Sequence, residues 1–164
     1  MQKVLEWRNS NRIRANMFTD HCITCEEHQI WFDKVNQSKS DIYKIFEFQG
    51  RPLGLVCFTN IDRKNNRCHW GFYLGEENLP KGTGLLMGYL GVKYAFEDLG
   101  IRKLCSEVFA FNISSIKFHK KLGFKEEGFF SKHVFKSGNY EDVILFALFD
   151  EDWSKNRLNL EGPL

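Results

Sequence analysis

The amino-acid sequence predicts an α/β (α+β) fold in which a mixed central sheet is flanked by helices. The first observation is the order of the patterns: helices, three strands joined by short turns, then a helix, a strand, a helix and two strands. Such an order is typical of a sheet layered against helices. The second is the length, since 164 residues can bury one sizeable core. The third is the absence of repeats, low-complexity segments and linkers, which predicts one domain over residues 1–150.

The individual elements follow from local patterns. Thr24 and Glu27 form a capping box, which predicts that a helix begins at Thr24. Gly100 and Gly123 follow helical patterns at the position where helices commonly end. Helices are predicted over residues 1–9, 12–18, 24–36, 85–99 and 112–122, and strands over residues 42–48, 53–60, 68–74, 103–109, 124–134 and 140–149. Residues 151–164 are predicted to be a polar, loosely attached tail, although they include Trp153.

Composition limits the partners and the compartment. The formal net charge is +2, which argues against a dedicated nucleic-acid binder. No run approaches the roughly 20 apolar residues of a membrane span, and the first residues lack the apolar segment of a signal peptide. The five cysteines show no disulfide rhythm, and Cys22-x-x-Cys25 has no second pair at zinc-site spacing. A cytoplasmic protein without a bound metal is therefore expected, and the 16 phenylalanines predict an aromatic-rich core.

A glycine-containing loop lies between the third predicted strand and the following helix. It includes Lys81, Gly82, Thr83 and Gly84, directly before the helical pattern. Unpaired N–H groups at a helix N-terminus attract anions, and glycine lets the backbone approach an anion closely. The spacing matches neither the dinucleotide-binding loop nor the Walker loop. By itself the loop therefore fits two interpretations, a phosphate cradle or an ordinary helix entry.

A second motif gives this loop more meaning. It reads Asn112-x-x-Ser115-x-x-x-His119 and ends at Gly123-Phe124. With both motifs, the chain resembles the GNAT superfamily of N-acetyltransferases from the second strand to the last. The resemblance implies a GNAT-like mixed sheet, acetyl-CoA as the cosubstrate, and a single acetyltransferase domain.

The chain departs from this superfamily in three respects. Leu79 stands where an Arg or Gln usually contacts the pyrophosphate, and His119 stands where a Tyr is usual. The superfamily also begins with a strand that this sequence does not supply. Either the sequence starts late, or the sheet lacks its first edge strand.

The resemblance implies how acetyl-CoA is held. Backbone groups of the third strand are expected to pair with the pantetheine arm, whereas the side chains of Phe72, Tyr73 and Leu74 are expected in the core. A bulge near Gly71 is expected to aim an N–H at the thioester oxygen. Asn112 either binds pantetheine or caps its helix, and Lys120 either meets the 3′-phosphate or stays in solvent. The implied coenzyme-binding residues are Phe72, Tyr73, Leu74, Lys81, Gly82, Thr83, Gly84, Asn112 and Lys120.

Three side chains are candidates for proton transfer. The resemblance implies that Glu107 is the base, directly or through water, although a structural carboxylate is the alternative. His69 stands where many relatives carry Glu and is a second candidate base. His119 occupies the position of the acid, and its alternative is a ring that only packs beside the pantetheine.

The N-terminal third resembles the acetyltransferases of pseudaminic acid biosynthesis, which act on a UDP-4-amino-4,6-dideoxy-N-acetyl-β-L-altrosamine. The resemblance lies in Trp7-Arg8-Asn9, Met17 and Glu27-His28-x-x-Trp31. Arg8 suits a diphosphate because guanidinium is a rigid fork that binds two oxygens, and the alternative is an exposed surface arginine. Trp31 is expected either to stack on uracil or to lie in the core. The implied substrate-binding residues are Arg8, Asn9, Met17, His28 and Trp31.

The expected function is therefore acetyl transfer to the 4-amino group of a UDP-amino sugar, for flagellin or surface-glycan synthesis. One alternative is a GNAT enzyme acting on a protein N-terminus or another small amine, and another is an inactive acyl-CoA-binding module. The expected partner is a small nucleotide sugar, without nucleic acid or membrane. The sequence leaves open whether the chain forms a homodimer.

Overall fold

The computed structural model describes residues 2–156, and it confirms the predicted fold class. Its centre is a mixed six-stranded sheet in the order β1-β2-β3-β4-β6-β5. The β3–β4 pair is parallel, and the other four pairs are antiparallel. The strands are β1 Ile42–Phe48, β2 Arg51–Asp62, β3 Arg67–Leu74, β4 Lys103–Phe109, β5 Lys125–Lys136 and β6 Asn139–Phe149.

Along the chain, helices precede the first strand, connect strands within the sheet and follow the last strand. They are α1 Gln2–Asn9, α2 Asn11–Arg14, α3 Cys25–Gln37, α4 Thr83–Lys93, α5 Ile113–Lys121 and α6 Asp150–Asn156. The capping box at Thr24 is confirmed, because its side chain accepts from the Glu27 backbone and the Glu27 carboxylate accepts from the Thr24 backbone. Helix α2 is shorter than predicted, and α4 begins two residues earlier and continues into the π-helical turn Tyr94–Asp98.

The first strand within residues 2–156 is β1, and it forms one edge of the sheet. Helices α1–α3 precede it, and side chains from α1 and α3 line a cavity together with side chains of the sheet.

The feature that creates the site is the separation of β3 from β4. The two strands pair only from Arg67 to His69 on β3 and from Lys103 to Cys105 on β4. Beyond His69, β3 stays paired with β2 on its other side as far as Leu74. Its β4-facing edge is therefore open, and backbone groups along this edge are free to meet an extended ligand.

The bulge predicted near Gly71 is wrong. Gly71 pairs in regular register with Cys57, and the irregularity in the β2–β3 pair lies between Thr59 and Asp62. A Cβ built on Gly71 would approach the Cys57 sulfur to 3.1 Å. Glycine at this position therefore reflects close packing against β2 rather than an inserted residue.

The predicted loose tail is also wrong for the part that the structure describes. Residues Asp150–Asn156 form α6, and Trp153 is only 2% exposed. The Trp153 ring packs against the rings of Tyr89 and Phe96, at centroid distances of 5.3 and 6.3 Å. Residues 157–164 lie outside the described part of the chain, and among residues 2–156 no helix is long and apolar enough to cross a membrane.

Candidate active site

A cavity of about 920 Å³ opens where β3 and β4 separate. One wall is the sheet face that carries alternate residues of three neighbouring strands. Tyr43 of β1 is the register partner of Cys57 of β2, which is in turn the partner of Gly71 of β3. Helices α1 and α3 supply the opposite wall through Arg8 and Trp31.

Glu107 and His69 meet at the floor of this cavity. His69 is paired with Cys105, so Glu107 lies two residues beyond the last β3–β4 pair and on the same strand face as Cys105. His69 Nδ1 lies 3.8 Å from Glu107 Oε1, and the side chains are 36% and 30% exposed. This distance is too long for a direct hydrogen bond. Both groups therefore face the same space, and either can accept a proton from an amine placed there.

His119 also lines the cavity, but it is not placed to act as an imidazolium acid. The ring is 1% exposed and stacks on Phe146 at 5.3 Å. Burial lowers the pKa of His119 from 6.5 to about 4, partly offset by its bond to the Ser115 backbone. Nδ1 lies 2.8 Å from the Ser115 carbonyl oxygen, which can only accept, so Nδ1 carries the hydrogen. Nε2 is left as a buried acceptor without a partner among the described residues.

The N-terminus of α4 fits the pyrophosphate of the expected coenzyme. Gly82 is the N-cap with φ +99°, and no side chain among the described residues caps this helix. A Cβ on Gly82 would meet nothing within 4 Å, so the space above it is open. Backbone N–H groups without a side-chain cap that lie beside open space can bind an anion at the positive end of the helix dipole. Gly84, two residues after Gly82, lines the cavity.

Other predicted coenzyme residues divide into two groups. Phe72, Tyr73, Leu74 and Asn112 line the cavity, and the first three lie where β3 is no longer paired with β4. The Leu74 carbonyl oxygen already accepts from Arg12 Nη1, so Phe72 and Tyr73 form the part of this edge without that contact. Asn112 caps α5, because its Oδ1 accepts from the Ser115 backbone at 3.1 Å. The cap uses only the carbonyl oxygen, so the amide group can still donate to a ligand.

Four of the predicted coenzyme residues do not line the cavity: Lys81, Gly82, Thr83 and Lys120. Thr83 Oγ1 donates to the Pro80 carbonyl oxygen. The Lys120 ammonium pairs with the Glu126 carboxylate at 2.8 Å. Asn9 is also outside, since both ends of its amide bond the Ile23 backbone. That bond ties α1 to the segment before α3, which is a structural task.

The remaining predicted substrate residues meet in the cavity: Arg8, Met17, His28 and Trp31. Arg8 Nη1 and His28 Nε2 are buried and have no partner among the described residues. Burial lowers the pKa of both groups, and the neighbouring Tyr73 acts in the opposite direction on Arg8. Trp31 and Tyr43 both line the cavity, and their rings meet edge-on at 5.0 Å.

Other aromatic residues line the cavity besides Trp31, and together they form what we call the aromatic wall. Sequence analysis missed most of them. Tyr43, Phe18 and Phe109 line the cavity, and the side chain of Tyr73 does so although the sequence favoured a core position for it. The alternation of β1 and β3 carries a partial signal, since Tyr43 and Tyr73 fall on one sheet face. Nothing in the sequence indicated that Phe18 lines the cavity, because it lies in a segment without regular structure. Its contact with Phe109 arises only from the tertiary fold.

Comparison with known proteins identifies the family. Residues 1–145 match the acetyltransferase (GNAT) domain. The acetyltransferase PseH of Campylobacter jejuni subsp. jejuni is 32% identical over 124 residues, which are 76% of this chain and 76% of the relative. The SPbeta prophage-derived uncharacterized N-acetyltransferase YokL of Bacillus subtilis is 30% identical over 128 residues, 77% of this chain and 71% of the relative.

Among solved structures, the fold is similar to the spermidine N-acetyltransferase from Vibrio cholerae in complex with CoA and spermine. The TM-score is 0.86 at 19% identity, with 93% of this chain and 91% of that chain covered. This likeness concerns the fold. With the matched domain and the open β3 edge beside an uncapped helix N-terminus, the chain belongs to the GNAT acetyltransferase family and is an N-acetyltransferase that uses acetyl-CoA.

Proposed function

We propose that this enzyme acetylates the 4-amino group of a UDP-4-amino-4,6-dideoxy sugar of the N-acetyl-β-L-altrosamine type, in pseudaminic acid or related surface-glycan biosynthesis. The observation that carries the proposal is Arg8. Its guanidinium lines the cavity, is about half-buried, and has Nη1 without a partner among the described residues. A buried cation without a partner is costly, and a diphosphate would supply the missing oxygens.

The charge of the cavity supports an anionic acceptor over a polyamine. Among the described lining residues, Arg8 and Arg12 are cationic and Glu107 is the single carboxylate. Arg12 is already bonded to the backbone oxygens of Leu74 and Gly75, which leaves Arg8 as the free donor. A polyamine would bring several ammonium groups to a site with one compensating carboxylate. The PseH relative is in line with an acceptor of the first kind.

The aromatic wall supports a nucleotide as the anionic part. Trp31 faces the cavity with His28 beside it, at a ring-centroid distance of 5.0 Å. An indole that lines the cavity can offer stacking to a planar base, and the unpartnered His28 Nε2 can offer a polar contact. Arg8 and Trp31 together would hold the UDP end, and the sugar would then extend toward Glu107 and His69.

The chain's own groups can then support the transfer. Glu107, with His69 close to it, accepts a proton from the sugar ammonium, directly or through water, and leaves a neutral nucleophilic amine. Acetyl-CoA, when bound, would supply an acetyl group activated as a thioester. The amine nitrogen forms a bond to the acetyl carbon as the carbon–sulfur bond breaks, and the proton that the nitrogen then loses balances the departing CoA thiolate. The open edge of β3 and the α4 N-terminus orient this cosubstrate, and the aromatic wall excludes water from the reacting end.

Thiol release from acetyl-CoA with three acceptors tests the proposal: the UDP-4-amino sugar, spermidine, and a peptide with a free N-terminus. We expect the highest kcat/KM for the UDP sugar. The Arg8→Ala variant should weaken UDP binding by about 1.5–3 kcal/mol, the range for a charged hydrogen bond. Arg51→Ala is the matched control, because Arg51 is exposed and outside the cavity. Preference for spermidine, or no UDP binding at millimolar concentration, would refute the proposal.

A further inference from the structure

Lys136, at the end of β5, is only 5% exposed, which is rare for a lysine. Its Nζ donates to the backbone oxygens of Arg14 and Met17 at 3.3 and 2.9 Å, and to Asp20 Oδ1 at 3.0 Å. An ammonium has three donors, so every one of them has an acceptor. Residues 14–20 therefore supply all the hydrogen-bond acceptors that compensate for burying the Lys136 charge.

The Asp20 carboxylate completes the contact from the other side. Its Oδ2 accepts from the Ser137 backbone at 2.8 Å, while Oδ1 accepts from Lys136. The Ser137 and Lys136 bonds lower the pKa of Asp20, so the carboxylate stays charged. Residues 14–20 are thereby fastened to the end of β5 across 116 to 122 positions of sequence.

Apart from the bonds with Lys136, the backbone hydrogen bonds described for residues 14–20 are local. Helix α2 ends at Arg14, and the following backbone bonds are local ones from Asn16 to Ile13 and from Met17 to Arg14. Yet side chains of this segment form part of the cavity wall: Asn16, Met17, Phe18 and Thr19. Phe18 also meets Phe109 edge-on at 4.9 Å, and the Lys136 ammonium lies 5.8 Å from the same Phe109 ring.

We propose that Lys136 is a positioning residue for acceptor selectivity, acting with Asp20 to hold the Met17–Phe18 wall against the acceptor. The proposal rests on the proposed function insofar as the acceptor occupies this part of the cavity. The coenzyme cradle is built from α4, α5 and the β3 edge, none of which Lys136 contacts through the bonds described. Loss of the Lys136–Asp20 contact should therefore displace the Met17–Phe18 wall and leave the coenzyme cradle in place.

The test compares Lys136→Met with Lys132→Met. Lys132 is on the same strand and exposed, so it controls for the loss of one charge from β5. For Lys136→Met we expect kcat/KM for the acceptor to fall by about tenfold to a hundredfold, as a misplaced substrate wall can cause, through a raised acceptor KM. The acetyl-CoA KM should not change, and amide hydrogen exchange should accelerate over residues 14–20. Lys132→Met should behave as wild type.

Asp20→Asn is the milder second variant, because Lys136 keeps its two carbonyl acceptors. It should show the same pattern at smaller size, and the double variant should add little to Lys136→Met. Equal changes in the KM values for the acceptor and for acetyl-CoA would overturn the inference. Unchanged amide hydrogen exchange over residues 14–20, together with an unchanged kcat/KM for the acceptor, would also overturn it. The wild-type acceptor assay separates this result from the proposed function. If another amine proves to be the substrate, the variant-to-wild-type ratio for that amine decides the role of Lys136.

Discussion

His119 illustrates at the residue scale how packing changes the chemistry of a side chain. Its Nδ1–H is committed to the Ser115 carbonyl oxygen, and aromatic rings from Trp70, Phe124 and Phe146 surround it. Desolvation opposes the charged form of an imidazole in such a site. The acid role that the superfamily's usual Tyr suggests for this position therefore does not pass to His119.

The lowered pKa of His119 predicts a pH-dependent stability. Between the unfolded value of 6.5 and the folded value of about 4, the unfolded chain binds a proton that the folded chain refuses. Stability should thus fall as pH drops through this window, by about 3 kcal/mol in total at about 1.4 kcal/mol per pKa unit. Urea unfolding of wild type and His119→Phe at several pH values measures it, with the exposed His133→Phe as control. Parallel pH slopes for wild type and His119→Phe would contradict the prediction.

Glu107 carries the residue-scale prediction for catalysis. Glu107→Gln keeps the shape and removes the proton acceptor, so kcat should fall by about 10²- to 10⁴-fold, the usual contribution of a general base. The acetyl-CoA KM should stay unchanged, because the coenzyme cradle is built elsewhere. Steady-state kinetics measure both, and Glu47→Gln, an exposed carboxylate on β1, is the matched control. An unchanged kcat in Glu107→Gln would leave His69 as the remaining candidate.

At the element scale, the site depends on how strands and helix ends are arranged. The β3–β4 pair stops at His69 and Cys105, and the widening gap admits an extended ligand. The α4 N-terminus and the α5 N-terminus, capped by Asn112, both lie beside this gap, with Gly84 and Asn112 on the cavity surface. An open strand edge supplies directional hydrogen bonds, and an uncapped helix end supplies positive potential.

Gly82 and Gly50 give a matched pair for testing this arrangement. Both have positive φ, +99° and +72°, and a Cβ at either would meet nothing within 4 Å. A valine at each should therefore introduce a comparable strain, roughly 1–2 kcal/mol. Only Gly82→Val should weaken coenzyme binding, by about tenfold or more, because its side chain would occupy the anion space. Calorimetric titration with CoA measures this, and equal affinities for both variants would remove the phosphate-cradle assignment.

At the scale of the whole molecule, α6 closes the core. Trp153 packs between Tyr89 and Phe96, and the Lys125–Asp152 pair fastens α6 to β5. Composition predicted an aromatic-rich core, but some aromatic residues lie outside it. Phe129, Phe135 and Tyr140 on the β5–β6 hairpin are exposed. Whether two copies associate stays a prediction that sedimentation would test.

Truncation of Trp153 tests whether α6 belongs to the cooperative unit. Trp153→Ala should lower the free energy of unfolding by about 3–5 kcal/mol, the usual cost of removing a large buried ring. Phe135→Ala removes a ring that is 61% exposed and should change stability by no more than about 0.5 kcal/mol. Denaturant unfolding measures both. A small effect of Trp153→Ala would mean that α6 is dispensable, as the sequence had suggested.

The sequence by itself determined the type and order of the elements from α1 to β6, the capping box at Thr24, and the glycine loop before α4. These features depend on neighbours within a few positions, since hydrophobic periodicity and backbone propensity act locally. The motifs at Gly82 and Asn112 likewise mark helix ends, and the structure places both beside one gap. Glu107 and His69 were recognised as candidates, although only the β3–β4 register brought them to 3.8 Å.

The tertiary structure alone decided which groups are buried, and therefore what they can do. The lowered pKa of His119, the unpartnered Arg8 guanidinium and the Lys136–Asp20 contact each depend on residues distant in sequence. Trp153 was assigned to a loose tail for the same reason, because nothing near it in sequence predicts the aromatic pocket that receives it. Desolvation and long-range pairing arise only when separate elements pack together, and a linear pattern does not encode the local dielectric that results.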